Sequence, residues 1–281
     1  MTDDYSDGEF GFDGEKTKGR KIAAPMTASL TAVGASLVAV IAATQVATPS
    51  DESEEKASGV CLKTNVRMID GLEPGCYEPE ELDLFAERPV MSERGGEVVV
   101  SLSHPTDIMA PVANVRTCAK YNEYKDKDWY ALSTREAIRQ EFFERSCGAL
   151  QLLREARAPE WTYFDAGEMS SKDIEELAKG PPFAIVESDA PFAEAEVSLT
   201  ETGMWRLSAV SQDAIIQEIA HADFDGDGDG EILGFVVIQV QGGTARASHV
   251  GVFEKESEDT PCRFRPIGDV ISERIVEKTR G

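Results

Sequence analysis

An uncharged stretch near the N-terminus stands apart from the mixed polar and apolar pattern that follows it. No charged residue occurs from Ile22 to Ser50, and the apolar character is strongest from Leu30 to Val46. A helix that spans a bilayer needs about 20 such residues. Lysine and arginine precede the stretch and acidic residues follow it, which by the positive-inside rule places the N-terminus in the cytoplasm. The pattern predicts a single transmembrane anchor over residues 22–47, with the main domain periplasmic or extracellular.

Two alternatives to a retained anchor remain open. A cleaved signal segment fits the basic flank and the small residues from Ala43 to Ala47, but signal peptides begin with a short basic region, whereas the tail here is acidic. A buried helix in a cytosolic protein is the second alternative, because the stretch is rich in alanine and threonine. A retained anchor and a cleaved signal segment would both export the domain.

The rest of the chain divides by composition. Residues 1–21 are polar and rich in glycine and aspartate, which predicts a disordered cytoplasmic tail. Residues 48–58 are typical of a linker. The folded region is predicted over 59–281, either as one domain or as two pieces that meet near residue 160.

Within the folded region, the pattern predicts the α+β class: an antiparallel β-sheet with one main amphipathic helix. That helix should begin at a capping residue, Ser133 or Thr134, with Glu136 completing a capping box, and should end near Ala158. On a helical wheel one stripe is apolar. Its members are Ile138, Phe142, Ala149, Leu152, Leu153 and Ala156.

Several strands and one short helix are predicted around the main helix. Residues 97–102 form the clearest early strand, since glycines and a His-Pro pair flank them. Residues 171–179 predict a short helix. Two strand candidates follow it, residues 183–187 and residues 195–211, and the second contains a turn at 201–203. The segment 214–220 fits strand or helix. Residues 231–240 and 249–254, separated by a glycine-containing turn, predict a hairpin.

Five cysteines are present, and none forms a C-x-x-C pair. In an oxidising compartment they predict one or two disulfides with a leftover thiol. Cys147 lies off the predicted apolar stripe and is free to meet the segment that carries Cys118, so Cys118–Cys147 is the favoured bridge. Cys61–Cys76 is the second choice, which leaves Cys262 as the spare. Spacing alone does not exclude other pairings.

Net charge narrows the range of partners. The formal net charge is -24, from 52 acidic and 28 basic side chains. Such a surface repels nucleic-acid phosphates and anionic lipid headgroups, so we do not expect the protein to bind nucleic acid. It suits divalent cations or cationic partners, or serves solubility alone.

The run from Asp223 to Ile232 carries the candidate chemistry. Aspartates occupy positions 1, 3, 5 and 7 of the run, and a glycine at position 6 permits a sharp turn. Calcium takes six to eight hard oxygen ligands, and carboxylates at alternate positions of a turning chain converge on one point. At position 7 the backbone carbonyl is the expected ligand, and at position 9 a carboxylate binds directly or through water. The predicted metal-binding residues are Asp223, Asp225, Asp227, Asp229 and Glu231.

This run resembles the D-x-D-x-D-G calcium loops of EF-hands, dockerins and FG-GAP repeats. Glu231 and Ile232 complete the FG-GAP form. Gly230 and Gly234 stand where an EF-hand has an aliphatic residue and a bidentate glutamate. The resemblance therefore implies a calcium loop, over residues 223–234, that leads into a strand and holds a structural ion rather than a sensor ion. The alternative is an acidic turn without an ion, although its carboxylates would repel one another.

Three functional hypotheses follow. The first is a membrane-anchored extracytoplasmic calcium-binding protein with a non-catalytic binding or structural role, in contact with an envelope protein or polymer. The second is a calcium-dependent exported hydrolase that uses His221 and His249 near the loop, although no G-x-S-x-G or H-E-x-x-H motif occurs. The third is an assembly subunit whose membrane helix packs through small residues such as Gly34 and Ala35.

Overall fold

The computed structural model describes residues 59–92, 95–107, 109–179, 192 and 194–280. The predicted tail, anchor and linker (1–58) lie outside these residues, and so does the predicted strand over 183–187. No helix within the described ranges is long and apolar enough to span a bilayer. The described residues all belong to one compact unit.

The described residues form an α+β fold, as predicted, with five helices where the sequence predicted one main helix and a short one over 171–179. In chain order the elements are β1 (Val60–Leu62), β2 (Gly75–Tyr77), α1 (Pro79–Phe85), β3 (Val100–Leu102), β4 (Ala113–Val115), α2 (Cys118–Lys125), α3 (Thr134–Glu155), β5 (Trp161–Thr162), α4 (Ser171–Ala178), β6 (Glu196–Leu199), β7 (Trp205–Ser208), β8 (Gln212–Ala222), β9 (Asp229–Val240), β10 (Arg246–Glu254), β11 (Arg263–Pro266) and α5 (Ile267–Arg280).

One mainly antiparallel sheet organises the molecule. Its strands follow the order β11-β10-β9-β8-β1-β2, and the β6–β7 hairpin joins the first half of β8 through β7. Among the strands that the structure describes, β5 alone pairs in parallel, beside the start of β9. A separate two-stranded ribbon is formed by β3 and β4. The predicted hairpin of the C-terminal half is confirmed as β9–β10, and the segment 214–220 is strand.

Both faces of the sheet are buried. Successive side chains of a strand point to opposite faces, so each long strand contributes to two cores. Leu233 of β9 and Val250 and Val252 of β10 belong to the core that includes α3 and the N-terminal elements. Ile232 and Val236 of β9 belong to the second core, which includes α4 and β7. Long buried strands thus hold both ends of the β8–β9 loop rigidly.

Helix α3 begins as predicted, but one half of the capping box is absent. The Ser133 hydroxyl accepts a hydrogen bond from the Glu136 amide at 3.2 Å. The Glu136 carboxylate turns away from the cap and accepts the Ser101 amide of β3 at 2.7 Å. Tertiary contact with the β3–β4 ribbon therefore replaces the reciprocal local bond.

The predicted buried face of α3 was wrong in part. Ile138 is 62% exposed, whereas Phe143, Cys147 and Leu150 are buried. A helical wheel assumes one covering layer, but α3 contacts α1, α2, β3, β10 and α5. Its C-terminal half is therefore enclosed from several sides, and residues off the predicted stripe are buried as well.

Both favoured disulfides are confirmed. Cys118–Cys147 joins the start of α2 to α3, and Cys61–Cys76 joins β1 to β2 at directly paired positions. Cys262 is a buried free thiol. The bridges fasten the N-terminal elements to each other and to the helix that covers the sheet.

Candidate metal centre

The acidic run forms the loop that connects β8 to β9. Ala222 at the end of β8 pairs with Glu231 of β9, so the loop closes on two hydrogen-bonded strands. Gly226 and Gly228 have φ angles of +94° and +96°, a conformation that side-chain-bearing residues rarely adopt. The glycines therefore permit the tight turn, and the predicted transition from loop to strand is confirmed.

Four of the five predicted side chains meet in this loop. Asp223, Asp225, Asp227 and Glu231 each place one carboxylate oxygen within 4.8 Å of the others. Asp223 and Glu231 are buried, at 3% and 4% exposure, whereas Asp227 is exposed. The Asp229 carboxylate is not part of this group, and its Oδ1 atom is buried without a hydrogen-bond partner. This arrangement is compatible with the prediction that position 7 offers its carbonyl.

Backbone amides of the loop fix the carboxylates. The Gly226 amide donates to Asp223 Oδ1 at 2.6 Å, and the Phe224 amide donates to Glu231 Oε2 at 2.6 Å. The Asp229 amide donates to Asp227 Oδ1 at 2.7 Å. Each bond engages one oxygen of a carboxylate that has two, so the group is oriented before any ligand arrives.

A segment that sequence reasoning missed lies along the loop. The Arg157 and Asp223 backbones exchange two hydrogen bonds, at 3.1 and 3.0 Å. The Glu160 amide donates to the Gly228 carbonyl at 2.9 Å, and β5 then continues beside Gly230. Residues 157–162 therefore clamp the loop to the end of α3. Their sequence has no pattern that signals this contact.

Burial and mutual repulsion disfavour the charged forms of these carboxylates. Burial, opposed by the Phe224 amide and reinforced by the neighbouring aspartates, raises the pKa of Glu231 to about 9. Burial and the charge of Asp227 raise the pKa of Asp225. Arg265 on β11 supplies partial compensation, with Nη1 3.4 Å from Asp225 Oδ2. It is 40 residues away in sequence, and no local signal identified it.

The donor set fits a hard divalent cation. Four carboxylates supply four of the six to eight oxygens that calcium takes, with carbonyls or water available for the rest. No histidine or cysteine belongs to the group, so zinc and copper are poor matches. A cation would remove the repulsion that raises the carboxylate pKa values.

The two candidate catalytic histidines are not brought together. His221 lies on β8 opposite Ile232, and His249 lies on β10 opposite Val236, so β9 runs between them. Four residues of offset correspond to about 13 Å along the strands. His221 Nε2 lies 3.1 Å from Thr162 Oγ1, and burial, with the nearby Lys63, lowers its pKa. Burial, with Arg145, lowers the pKa of His249.

Comparison of the chain with protein-family models, with curated proteins and with solved structures found no match.

Proposed function

We propose that this protein is a membrane-anchored extracytoplasmic domain that binds calcium in the β8–β9 loop and has a non-catalytic binding or structural role in the cell envelope. Residues 22–47 anchor it. The ligands are the carboxylates of Asp223, Asp225, Asp227 and Glu231, with the Asp229 carbonyl. The ion is structural: it holds a tight hairpin loop closed rather than moving two helices.

One observation carries the calcium proposal: four carboxylate oxygens lie within 4.8 Å of one another on a rigid hairpin. Two of these side chains are almost fully buried, and buried carboxylates are costly without a cation or a proton. The spacing of the ligands and the positive φ at Gly228 match the turn that calcium loops require. An acidic surface turn without an ion would not explain why Asp223 and Glu231 are buried.

Two disulfides support a place outside the cytoplasm, where thiols are not kept reduced. The uncharged stretch of 22–47, with basic residues before it and acidic residues after it, would carry the domain across the membrane. Calcium outside the cytoplasm fills sites as weak as about 10⁻⁴ M. An acidic, calcium-stiffened surface suits contact with another envelope protein or polymer, with the membrane as the second attachment.

Thermal unfolding of the full chain tests calcium binding. Calcium at about 100 times its Kd should stabilise the protein by about 2.7 kcal/mol relative to EGTA, because the ion binds only the folded loop. The double variant Asp225→Asn/Asp227→Asn should lose this shift. The matched control Glu258→Gln/Asp259→Asn, which removes two exposed charges elsewhere, should keep it. A parent protein whose melting is the same in calcium and EGTA would refute the proposal.

Protease accessibility tests the location. The full chain should fractionate with membranes, and protease added outside intact spheroplasts should degrade the domain, since only the tail is cytoplasmic. Deleting residues 22–47 should abolish membrane association. Protection of the domain until the cells are lysed would contradict an extracytoplasmic placement.

A further inference from the structure

A lysine and an aspartate contact each other inside the second core, away from the candidate calcium loop. Lys255 Nζ lies 2.8 Å from Asp173 Oδ1, and the two side chains are 6% and 4% exposed. Lys255 follows β10, and Asp173 lies in the first turn of α4. Surface ion pairs are common and weak, but a pair so fully removed from water is held in one geometry.

Apolar side chains of the second core lie beside this pair. The Phe164 ring centroid lies 6.0 Å from Lys255 Nζ. Phe164, Ile174 and Cys262 all belong to the same buried cluster. Water therefore has little access to the amine or to the carboxyl group, which strengthens local electrostatic interactions and limits hydrolysis of any product formed there.

The two oxygens of Asp173 have different partners. Oδ2 accepts the Ser170 amide at 2.9 Å and the Ser170 hydroxyl at 2.7 Å. Oδ1 faces the lysine. Although burial raises the pKa of Asp173, the hydrogen bonds from Lys255 and Ser170 lower it below its usual value, so the ion pair is the resting form.

We propose that Lys255 and Asp173 condense into an intramolecular amide bond. Nζ attacks Cγ of Asp173, a C–N bond forms, and the C–Oδ1 bond breaks. The lysine ammonium carries three protons: two leave with Oδ1 as water, and one stays on the amide nitrogen. Atoms and charges balance without an oxidant, a cofactor or a second substrate.

The geometry supplies what this condensation needs. Direct contact gives the amine a high effective concentration, on the order of 10⁵ M or more for well-oriented groups. A proton must first pass from Lys255 to Asp173 within the contact, because only the neutral amine is a nucleophile. The two Ser170 donors lie where negative charge develops on Oδ2 during attack, the arrangement that stabilises tetrahedral intermediates.

The bond would tie α4 to the end of β10 across 82 residues of sequence. Both disulfides join N-terminal elements and α3, and neither involves α4 or β10. An amide cross-link would secure the second core in the same covalent way, and unlike a disulfide it would survive reducing agents.

Intact mass spectrometry of the full chain, reduced and denatured, tests the proposal. The parent should weigh one water molecule less than its sequence requires, and Lys255→Arg and Asp173→Ala should have their full masses. The control Lys63→Arg, at another lysine that contacts a carboxylate, should keep the deficit. A parent of full mass would overturn the proposal, as would a deficit that persists in both Lys255→Arg and Asp173→Ala.

Asp-Gly pairs such as Asp225-Gly226 also lose water, by cyclising to a succinimide, so the position of the deficit must be mapped. A protease digest of the parent should contain a branched peptide that joins the segments of Asp173 and Lys255. This readout needs no variant, and so it is decisive even if the variants do not fold. Separate linear peptides carrying unmodified Asp173 and Lys255 would refute the cross-link.

Discussion

Glu231→Gln gives the sharpest prediction, because its effect on stability should change sign with calcium. The amide is nearly the same size as the carboxylate and can still accept the Phe224 hydrogen bond, but it carries no charge. In calcium the substitution removes a ligand and should destabilise the protein. Without calcium it removes a carboxylate that burial disfavours, and should stabilise the protein.

The magnitude follows from the pKa of Glu231, about 9 in the folded, metal-free protein against an ordinary 4.5. The folded-state pKa is raised, so the folded state binds more protons between these values, and stability present below pH 4.5 is lost as pH rises toward about 9. Between these two pKa values, each pH unit lowers the free energy of unfolding by about 1.4 kcal/mol. At about pH 7.5, three units above 4.5, the metal-free parent has lost about 4 kcal/mol, and at about pH 5 less than about 1 kcal/mol.

Urea unfolding of the parent and Glu231→Gln, at both pH values and in EGTA or calcium, is the assay. In EGTA the variant should exceed the parent by up to about 4 kcal/mol at about pH 7.5, and the two should nearly coincide at about pH 5. In calcium at about pH 7.5 the order should reverse. Equal losses in the variant under all four conditions would show that Glu231 matters only through packing.

The remaining predictions test the fold that supports the loop, by guanidinium unfolding. Replacing Cys118 and Cys147 together with alanine should cost about 2–4 kcal/mol of unfolding free energy, and no cost would contradict a formed bridge. Gly251→Ala should cost more than about 2 kcal/mol, since its Cβ would overlap a backbone carbonyl oxygen of β11. Gly242→Ala should cost about 1 kcal/mol, because its Cβ meets open space and only the φ of +69° is unfavourable. Equal losses in the two variants would refute the steric reason. Ser133→Ala should cost about 1 kcal/mol through loss of the α3 cap, and an unchanged midpoint would refute it.

The parts of the fold that sequence predicted are those whose signals are local. The β9–β10 hairpin follows from β-branched residues on either side of a glycine turn. The Ser133 cap and the Asp223–Asp227 spacing are equally local. The Cys118–Cys147 bridge could be favoured because the two segments lie close together in the chain. In the helix cap and the acidic loop, a few neighbouring residues determine the geometry.

The rest depended on contacts between distant segments. Helices α1 and α2 are short, and their lengths of 7 and 8 residues give little periodic signal. Burial of Phe143 and Cys147 depends on which elements surround α3, and a wheel does not contain that information. The clamp of residues 157–162 on the loop is made by backbone groups, so side-chain identity could not predict it.

Arg265 shows how the loop is connected to the C-terminal part of the fold. Its guanidinium contacts Asp225 of the loop, Glu254 of β10 and Glu273 of α5. One positive charge shared among three carboxylates cannot also neutralise the rest of the loop group, which favours a second cation at the loop. A bound ion would neutralise the charge of Asp225, so that Arg265 would pair with Glu254 and Glu273 alone. The same ion would therefore tighten both the hairpin and the attachment of α5 to the sheet, although α5 provides no ligand.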